Sequence, residues 1–306
     1  MGYVDKNHKN GFFLLFNLNF NVIIKLIIGG VNMNKKILTV LVLVLGVGII
    51  YLGFNLITGG GSNIPLTEED CFEINEEGKI TAYKEMCDVE VNIPEKIKGI
   101  KVKAIGSFVF ARKEITKLVL PEGLEEIGIG AFEENLIEKV EIPSTVKTIK
   151  TLAFNNNKIS KLKLGDNVTE IGNAAFNNNE LKDSEAFIYM RSEKGIDETI
   201  VVSYAGKERK KVKVPSNVTM LYLKSFANCN IEEIILSENL ERIEANALEG
   251  NKLTSIAIPN SVIVINEGAL SDNDLKEIII FGKKSLDEFG NFDLTNIDEK
   301  IIKFEK

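Results

Sequence analysis

Histidine and cysteine, the residues that most often serve as base or nucleophile in catalytic triads and dyads, are scarce in this 306-residue sequence. It contains a single histidine, His8, three cysteines and no tryptophan. Because His8 lies in an N-terminal stretch that resembles translated leader, no Ser/His/Asp or Cys/His arrangement is open to the remaining chain. No Gly-rich phosphate loop follows a strand pattern, and Gly59–Ser62 reads as a linker. The sequence predicts no enzyme, no cofactor and no metal site; a wall-acting glycosidase using paired carboxylates is the weak alternative.

The chemistry that the spacing favours is binding. Lys117, Lys139, Lys161 and Lys211 occupy one position of a repeated pattern, and the first three are 22 residues apart. We call these four residues the lysine column. Like charges at strand spacing repel one another, so the column is a candidate contact for an anionic partner. The alternative is a solvated face whose lysines are offset by nearby glutamates.

Two further groups are candidate binding residues. Ile235 and Ile279, with Ala257 between them, form an outward apolar row, which is either a contact site or a surface covered by another part of the chain. Phe187, Tyr189 and Tyr204 lie on two strand-like runs and are a candidate ligand platform. The alternative for these aromatics is packing against the parent body.

All these positions are set by a repeat. Phe110, Phe132, Phe154 and Phe176 are 22 residues apart, and Phe226, Leu248 and Leu270 resume the same step after an interruption. The position five residues before the Phe is apolar in all seven units: Ile105, Ile127, Ile149, Ile171, Leu221, Ile243 and Ile265. A unit this short cannot bury its own apolar face, so the units must stack. The sequence predicts a mainly β solenoid with short parallel strands, such as Lys139–Glu141 within the phrase Ile137-x-x-Val140-x-Ile142.

An asparagine recurs three residues after the Phe position. A stacked amide can satisfy main-chain donors and acceptors in a tight bend, which is the role expected of this ladder. The ladder consists of Asn135, Asn157, Asn179, Asn251 and Asn273, and Cys229 replaces it in the fifth unit. A small buried thiol is the expected state of Cys229.

The phrase Ile137-x-x-Val140-x-Ile142 follows the L-x-x-L-x-L core of leucine-rich repeats. Together with the I-P-x-x-V-x-x-I-G-x-x-A-F-x-x-N pattern, the sequence resembles the BspA-like leucine-rich repeat proteins of bacterial surfaces, over about residues 71–306. The resemblance implies a right-handed leucine-rich-repeat-like coil and a surface or secreted interaction role. It implies no conserved catalytic centre. The Asn column precedes the core here, whereas the family's general pattern places it afterwards.

The amino terminus carries an apolar run. Residues 37–57 contain no charge and follow Lys35 and Lys36, which predicts a single transmembrane helix with the repeats outside the cell. A cleaved signal peptide, and hence secretion, is the alternative. Residues 1–32 read as a non-native leader before a start at Met33, or as disordered chain.

The remaining segments complete the organisation. Cys71 and Cys87 are expected to form a disulfide in an exported domain. Residues 182–211 interrupt the repeat and are expected to loop out as a β-hairpin. In order, the sequence predicts a leader at 1–32, an anchor at 33–57, a linker at 58–70, an N-terminal cap at 71–98, the solenoid at 99–281 with the insertion, and a C-terminal cap at 282–306.

The net charge of the chain restricts the class of binding partner. The net charge is −7, and residues 58–306 carry 32 basic against 43 acidic residues, which argues against nucleic-acid binding as the function. We expect a non-catalytic, membrane-tethered interaction or adhesion protein whose partner is a protein or a cell-wall or host-surface polymer. The ligand-binding ectodomain of a surface receptor complex is the alternative.

Overall fold

The structure is a computed structural model that describes residues 38–45, 49–56 and 64–306. The chain divides into two units, residues 1–63 and 64–306. In the first unit, β1 (Leu38–Leu45) pairs antiparallel with β2 (Ile49–Leu56). The predicted transmembrane helix over 37–57 is therefore wrong in this structure. β1 contains three valines and β2 two isoleucines. Gly46 and Gly48 stand between the two strands in the sequence, and both features favour strands over a continuous helix. Among the described residues, no helix has the length and apolar character needed to cross a membrane.

The second unit begins with a hairpin. A 3₁₀ turn (Glu69–Cys71) leads into β3 (Phe72–Ile74), which pairs antiparallel with β4 (Lys79–Tyr83). The strands from there to the insertion are β5 (Glu90–Asn92), β6 (Lys96–Ile97), β7 (Ile100–Lys101), β8 (Ala104–Ile105), β9 (Lys117–Val119), β10 (Glu126–Ile127), β11 (Lys139–Glu141), β12 (Thr148–Ile149), β13 (Lys161–Lys163) and β14 (Glu170–Ile171).

The insertion contains a 3₁₀ turn (Asp183–Glu185) and a hairpin. The strands from the hairpin to the end are β15 (Phe187–Ser192), β16 (Gly195–Tyr204), β17 (Val212–Lys213), β18 (Met220–Leu221), β19 (Ile234–Ile235), β20 (Arg242–Ile243), β21 (Ser255–Ile258), β22 (Val264–Ile265), β23 (Glu277–Phe281), β24 (Asn291–Phe292) and β25 (Ile302–Glu305). Two more 3₁₀ turns, Leu286–Glu288 and Glu299–Ile301, lie near the end.

These strands form two faces of a solenoid. One face, the isoleucine face, stacks β4, β8, β10, β12 and β14 in parallel, and later β16, β18, β20, β22 and β24. Its strands carry the apolar column that precedes each Phe, so that Ile127 lies beside Ile105 and Ile149. The other face, the lysine face, consists of β5 with β9, β11 with β13, β17 with β19, and β21 with β23 and β25. The predicted solenoid is confirmed; the sequence reading identified the strands of the lysine face and missed that the isoleucine column is also a strand.

The core between the two faces is a stack of side chains from successive coils. The rings of Phe110, Phe132, Phe154 and Phe176 are fully buried, and adjacent centroids are 4.9, 5.1 and 5.3 Å apart with nearly parallel planes. Each ring thus covers the one before it, which buries a large apolar surface in every coil. The predicted stacking of the equivalent aromatics is present.

The asparagine ladder joins neighbouring coils. Asn157 is buried; its Oδ1 accepts a hydrogen bond from the Ile137 N–H at 3.2 Å, and its Nδ2 donates to the Phe132 and Phe154 carbonyls at 2.8 and 3.2 Å. One side chain therefore satisfies main-chain groups of two coils. Cys229 is fully buried in the same position, and its Sγ lies 3.8 Å from the Tyr204 carbonyl oxygen. Burial raises the pKa of Cys229 to about 12.

The insertion does not simply loop out. β15 and β16 form the predicted antiparallel hairpin, but the last part of β16 joins the isoleucine face, where Ile200 and Val201 pair in parallel with Met220 and Leu221. Buried Val201 packs with the second half of the core, whereas its neighbour Val202 packs with the first half. The end of β16 is therefore a rung of the stack, because its alternating side chains fill the space on both sides.

Both ends of the stack are closed. Cys71 and Cys87 form the predicted disulfide, with their Cα atoms 5.9 Å apart, beside the N-terminal hairpin. At the other end β25 pairs in parallel with β23, with Ile302 opposite Ile278. This strand lies within the segment 282–306 that the sequence assigns to a C-terminal cap, and it covers one edge of the last coil.

Candidate interaction surface

The structure places the lysine column on the outside of the lysine face. Lys139 on β11 and Lys161 on β13 are direct register partners, while Lys117 starts β9 and Lys211 immediately precedes β17. All four side chains are exposed, because residues that alternate with buried ones along each strand must point outward. The pleat and the 22-residue repeat together produce the column.

Most of the column is paired with carboxylates. Lys117 Nζ lies 2.7 Å from Glu90, Lys139 Nζ lies 2.8 Å from Glu141, and Lys211 Nζ lies 2.7 Å from Glu233. The hydrogen bond from Lys139 lowers the pKa of the Glu141 carboxyl group. Lys161 makes no ion pair with any carboxylate of the described chain. Lys161 is therefore the one member of the lysine column whose charge is not offset by an ion pair within the described residues.

The predicted apolar row is only partly open. Ile235 is 37% exposed and Ala257 is exposed, but Ile279 is half-buried. The difference arises at the C-terminal end, where β25 lies beside β23 and Lys303 is opposite Ile279. Ile235 and Ala257 are thus open to a partner, whereas Ile279 is partly covered by another part of the chain.

The three candidate aromatics of the insertion lie at or near the core. Tyr204 is 2% exposed, its ring stacks on Phe226 at 5.1 Å, and its hydroxyl donates to the Glu208 carbonyl. Phe187 packs edge-on against Tyr204 at 5.3 Å, and Tyr189 is half-buried. Burial raises the pKa values of both tyrosines. In this structure the ring of Tyr204 is not accessible to a ligand. Tyr204 therefore packs against the body of the solenoid, which is the alternative stated for these aromatics.

A groove opens next to Lys161 where the lysine face is interrupted. It has a volume of about 470 Å³ and runs along β11 and β13, with Val140 and Leu162 on its inner wall. Lys182, Glu185 and Lys207 line the opposite side. We call it the insertion groove. It lies within the size range of ligand sites, roughly 300–1,000 Å³.

The groove exists because the next coil does not supply a strand. The residues equivalent to Lys161–Lys163 are Asp183, Ser184 and Glu185, so a serine stands where the other coils place an inward-pointing valine, leucine or isoleucine. This segment is an exposed 3₁₀ turn instead. Between β14 and β17, the only isolated β-bridge that the structure describes joins Leu181, which precedes the turn, to Gly206, which lies beyond the hairpin. β13 is left with β11 as its one strand partner among the described residues.

The loss of this strand leaves two leucines of the preceding coil partly exposed. Leu162 and Leu164 are only half-buried, whereas Val140 and Ile142, their equivalents one coil earlier, are 1% and 3% exposed. The sequence reading missed this site, because it treated residues 182–211 as an outward loop. Ser184 is the signal that was available: a polar residue in an inward column predicts that the strand is lost.

The fold and this surface together define a leucine-rich-repeat solenoid with an exposed, charged strand face. A family model for the "BspA type Leucine rich repeat region" matches residues 103–188 and 202–305, with six copies. The chain belongs to this family of BspA-type leucine-rich repeat proteins. The unmatched residues 189–201 lie in the hairpin of the insertion.

Several solved structures of bacterial proteins are similar to this chain. A leucine-rich cell surface protein from Faecalibacterium prausnitzii is 25% identical, covering 72% of this chain and 56% of its own, with a TM-score of 0.38. The pneumococcal vaccine antigen PcpA is 17% identical, covering 82% and 81%, with a TM-score of 0.38. A leucine-rich repeat protein from Bacteroides ovatus is 19% identical, covering 79% and 76%, with a TM-score of 0.39. No curated protein matched the chain.

Proposed function

We propose that this chain is a non-catalytic, extracytoplasmic interaction or adhesion protein that binds its partner through the lysine face. The observation that carries the proposal is the regular outward surface of that face, where exposed charged side chains recur from coil to coil. A surface built this way presents many weak contacts at fixed spacing, which suits an extended partner. Membership in the BspA-type family supports the same role.

A location outside the cytoplasm is supported by the disulfide. Cys71–Cys87 closes a 16-residue separation beside the N-terminal hairpin, and such bonds persist in oxidising compartments. In this proposal, the apolar residues behind Lys35 and Lys36 act as the export signal, whether they are retained or removed. Proteolysis of intact cells tests the location: residues 64–306 are digested only if they are outside.

The electrostatics of the carboxyl groups argue against hydrolysis of wall glycans. A general acid of that chemistry needs a raised carboxyl pKa. Where the described carboxyl groups have a shifted pKa, the shift is downward: hydrogen bonds lower the pKa values of Glu141, Asp197, Glu208 and Asp293. These groups are held as carboxylates, and Glu141 forms an ion pair with Lys139.

The experiment is a binding array of host-surface proteins, glycans and wall polymers probed with the full chain. The test variant reverses the charge of the whole lysine column, Lys117→Glu, Lys139→Glu, Lys161→Glu and Lys211→Glu. The matched control reverses four exposed lysines outside the column, Lys103→Glu, Lys147→Glu, Lys252→Glu and Lys276→Glu. Thermal unfolding of both variants verifies that each remains folded.

We expect the column variant to lose at least about tenfold in affinity for the captured partner and the control to lose much less, since only the column faces the partner. Equal losses in the two variants would show that net charge, and not the lysine face, determines binding. Release of reducing sugar ends from any wall polymer would contradict a non-catalytic role.

A further inference from the structure

The insertion groove carries an inference about the kind of partner. We infer that the groove binds an extended acidic peptide segment of a partner protein, which adds as a strand beside β13. The inference rests on the proposed interaction function and names the site and the chemistry of the partner.

The first step is the open strand edge. Several strands of the lysine face pair on one side only, and β11 and β13 pair only with each other within the described residues. The coil before β11 still supplies a strand, β9, whereas the coil after β13 supplies the exposed 3₁₀ turn Asp183–Glu185 instead. The vacant side of β13 is where the next coil would place its strand, roughly 4.8 Å away. An edge strand of this kind presents unpaired backbone groups to any extended chain that can reach it.

The second step is the apolar wall. Leu162 lines the groove and is half-buried, as is Leu164 directly after β13, whereas the equivalent residues of the preceding coil are buried. A strand added beside β13 would direct alternate side chains inward against these leucines. Apolar residues at every second position of the partner would therefore complete the core of this coil.

The third step is charge. Lys161, Lys163, Lys182 and Lys207 line the groove, and none of them forms an ion pair with a carboxylate in the part of the chain that the structure describes. Of the three glutamates in the lining, Glu141 pairs with Lys139 and Glu180 pairs with Lys158. The uncompensated charge is positive in a molecule whose net charge is −7. The other set of alternate side chains in the partner should therefore be acidic.

These steps favour a peptide over an anionic polymer. A polyphosphate or an acidic glycan would neutralise the lysines but would leave the apolar wall and the strand edge exposed to water. An extended peptide that alternates acidic and apolar residues satisfies all three features at once.

The test uses the full chain and two peptides of identical composition. One alternates glutamate and valine over seven residues, Glu-Val-Glu-Val-Glu-Val-Glu, and the other groups the same residues as Glu-Glu-Glu-Glu-Val-Val-Val. Inorganic polyphosphate is the third probe. Binding is measured by fluorescence anisotropy of labelled probes at a fixed ionic strength.

The chain supplies a matched pair of variants. Lys163 and Lys213 occupy equivalent positions of the lysine face, both are exposed, and neither forms an ion pair in the described structure, but only Lys163 lines the groove. We expect the alternating peptide to bind at least about tenfold more tightly than its isomer, Lys163→Glu to weaken it at least about tenfold, and Lys213→Glu to change it less than about twofold. Leu162→Asn, which keeps the charge, should weaken the alternating peptide more than the grouped one.

Equal affinity for the two peptides, or an equal loss in Lys163→Glu and Lys213→Glu, would overturn the inference, because either result means diffuse attraction. Binding of polyphosphate without binding of peptide would also overturn it and would assign the groove to an anionic polymer. A dimer that Lys163→Glu dissociates, without peptide binding, would assign the groove to a second copy. If the peptides fail while the array still captures a partner through the lysine column, the inference falls and the proposed function stands.

Discussion

The two halves of the solenoid have the same backbone arrangement and differ in the side chains that fill the core at the Phe position. Before the insertion, four phenylalanine rings stack; after it, Phe226 is followed by Leu248 and Leu270 in the same column. The main chain hardly changes. The Phe132 N–H donates to the Ala153 carbonyl at 2.8 Å, and the Leu248 N–H donates to the Ala269 carbonyl at 2.9 Å.

The asparagine ladder is the feature that both halves keep. Asn251 donates to the Phe226 carbonyl and Asn273 to the Leu248 carbonyl, each at 2.9 Å, as Asn157 does to Phe132. The comparison indicates that hydrogen bonds to buried main-chain groups fix the spacing of the coils. The side chain at the Phe position only has to fill the core volume. A lost amide partner leaves a buried group unsatisfied, and a leucine in place of a ring does not.

The largest expected effect separates volume from stacking. Phe154→Ala should lower the free energy of unfolding by about 3–5 kcal/mol, because it leaves a cavity in the middle of the first half. Phe154→Leu should cost only about 1 kcal/mol, since leucine already serves in the second half. Guanidinium unfolding followed by circular dichroism measures both. If Phe154→Leu costs as much as Phe154→Ala, ring stacking itself holds the first half together.

The ladder should respond unequally in the two halves. Asn157→Ala leaves the Ile137 N–H and the Phe132 carbonyl without their partner and should cost about 2–3 kcal/mol. Cys229→Ala removes only a small side chain with weak hydrogen bonds and should cost about 1 kcal/mol. The same unfolding assay compares them. Equal costs would contradict the main-chain role of the amide.

Alkaline pH should act at the start of the second half through Cys229. Its pKa is raised to about 12 from an ordinary value of 9.0, because burial disfavours the thiolate. The neutral thiol is favoured by folding, so this contribution is fully present below pH 9 and is lost as the pH rises towards 12. At pH 10 the loss should be roughly 1 kcal/mol, and Cys229→Ala should not show it.

Thiol alkylation provides an independent measurement. At pH 8.5, iodoacetamide should modify Cys229 no faster than the protein unfolds, because the side chain is fully buried. Rapid alkylation of the native protein would show that this coil opens and that the replacement of asparagine has loosened it.

The smallest expected effect concerns the exposed ion pairs of the two halves. Lys139→Ala removes the pair with Glu141, and Lys211→Ala removes the pair with Glu233. Each should lower the free energy of unfolding by less than about 0.5 kcal/mol, because exposed pairs are screened by solvent. Unfolding at low and high salt measures this. A large, salt-sensitive loss would make the lysine column a structural element.

Much of this architecture follows from the sequence alone, because a strict repeat makes every coil predict its neighbours. The Phe column, the Asn ladder and the outward lysines could all be placed by register. The hairpin of the insertion could also be recognised from its alternating apolar residues.

The wrong predictions concern segments that lie outside the repeat, where no register is available to place the residues. Residues 37–57 lie outside it, and a continuous apolar run does not distinguish a helix from two strands. The insertion has no counterpart among the other coils, so the rung formed by Val201 and Val202 could not be placed. The groove then followed from the loss of a strand at Ser184, a change of one residue type in an otherwise apolar column.

Hydrogen–deuterium exchange of the full chain tests most directly whether the lysine face is open beside β13. Amides of residues 161–164 should exchange at least about tenfold faster than those of 277–281 in β23, which has strand partners on both sides. Equal protection of the two segments would mean that β13 has a second strand partner. The lysine face would then not be interrupted beside β13, which would contradict the insertion groove.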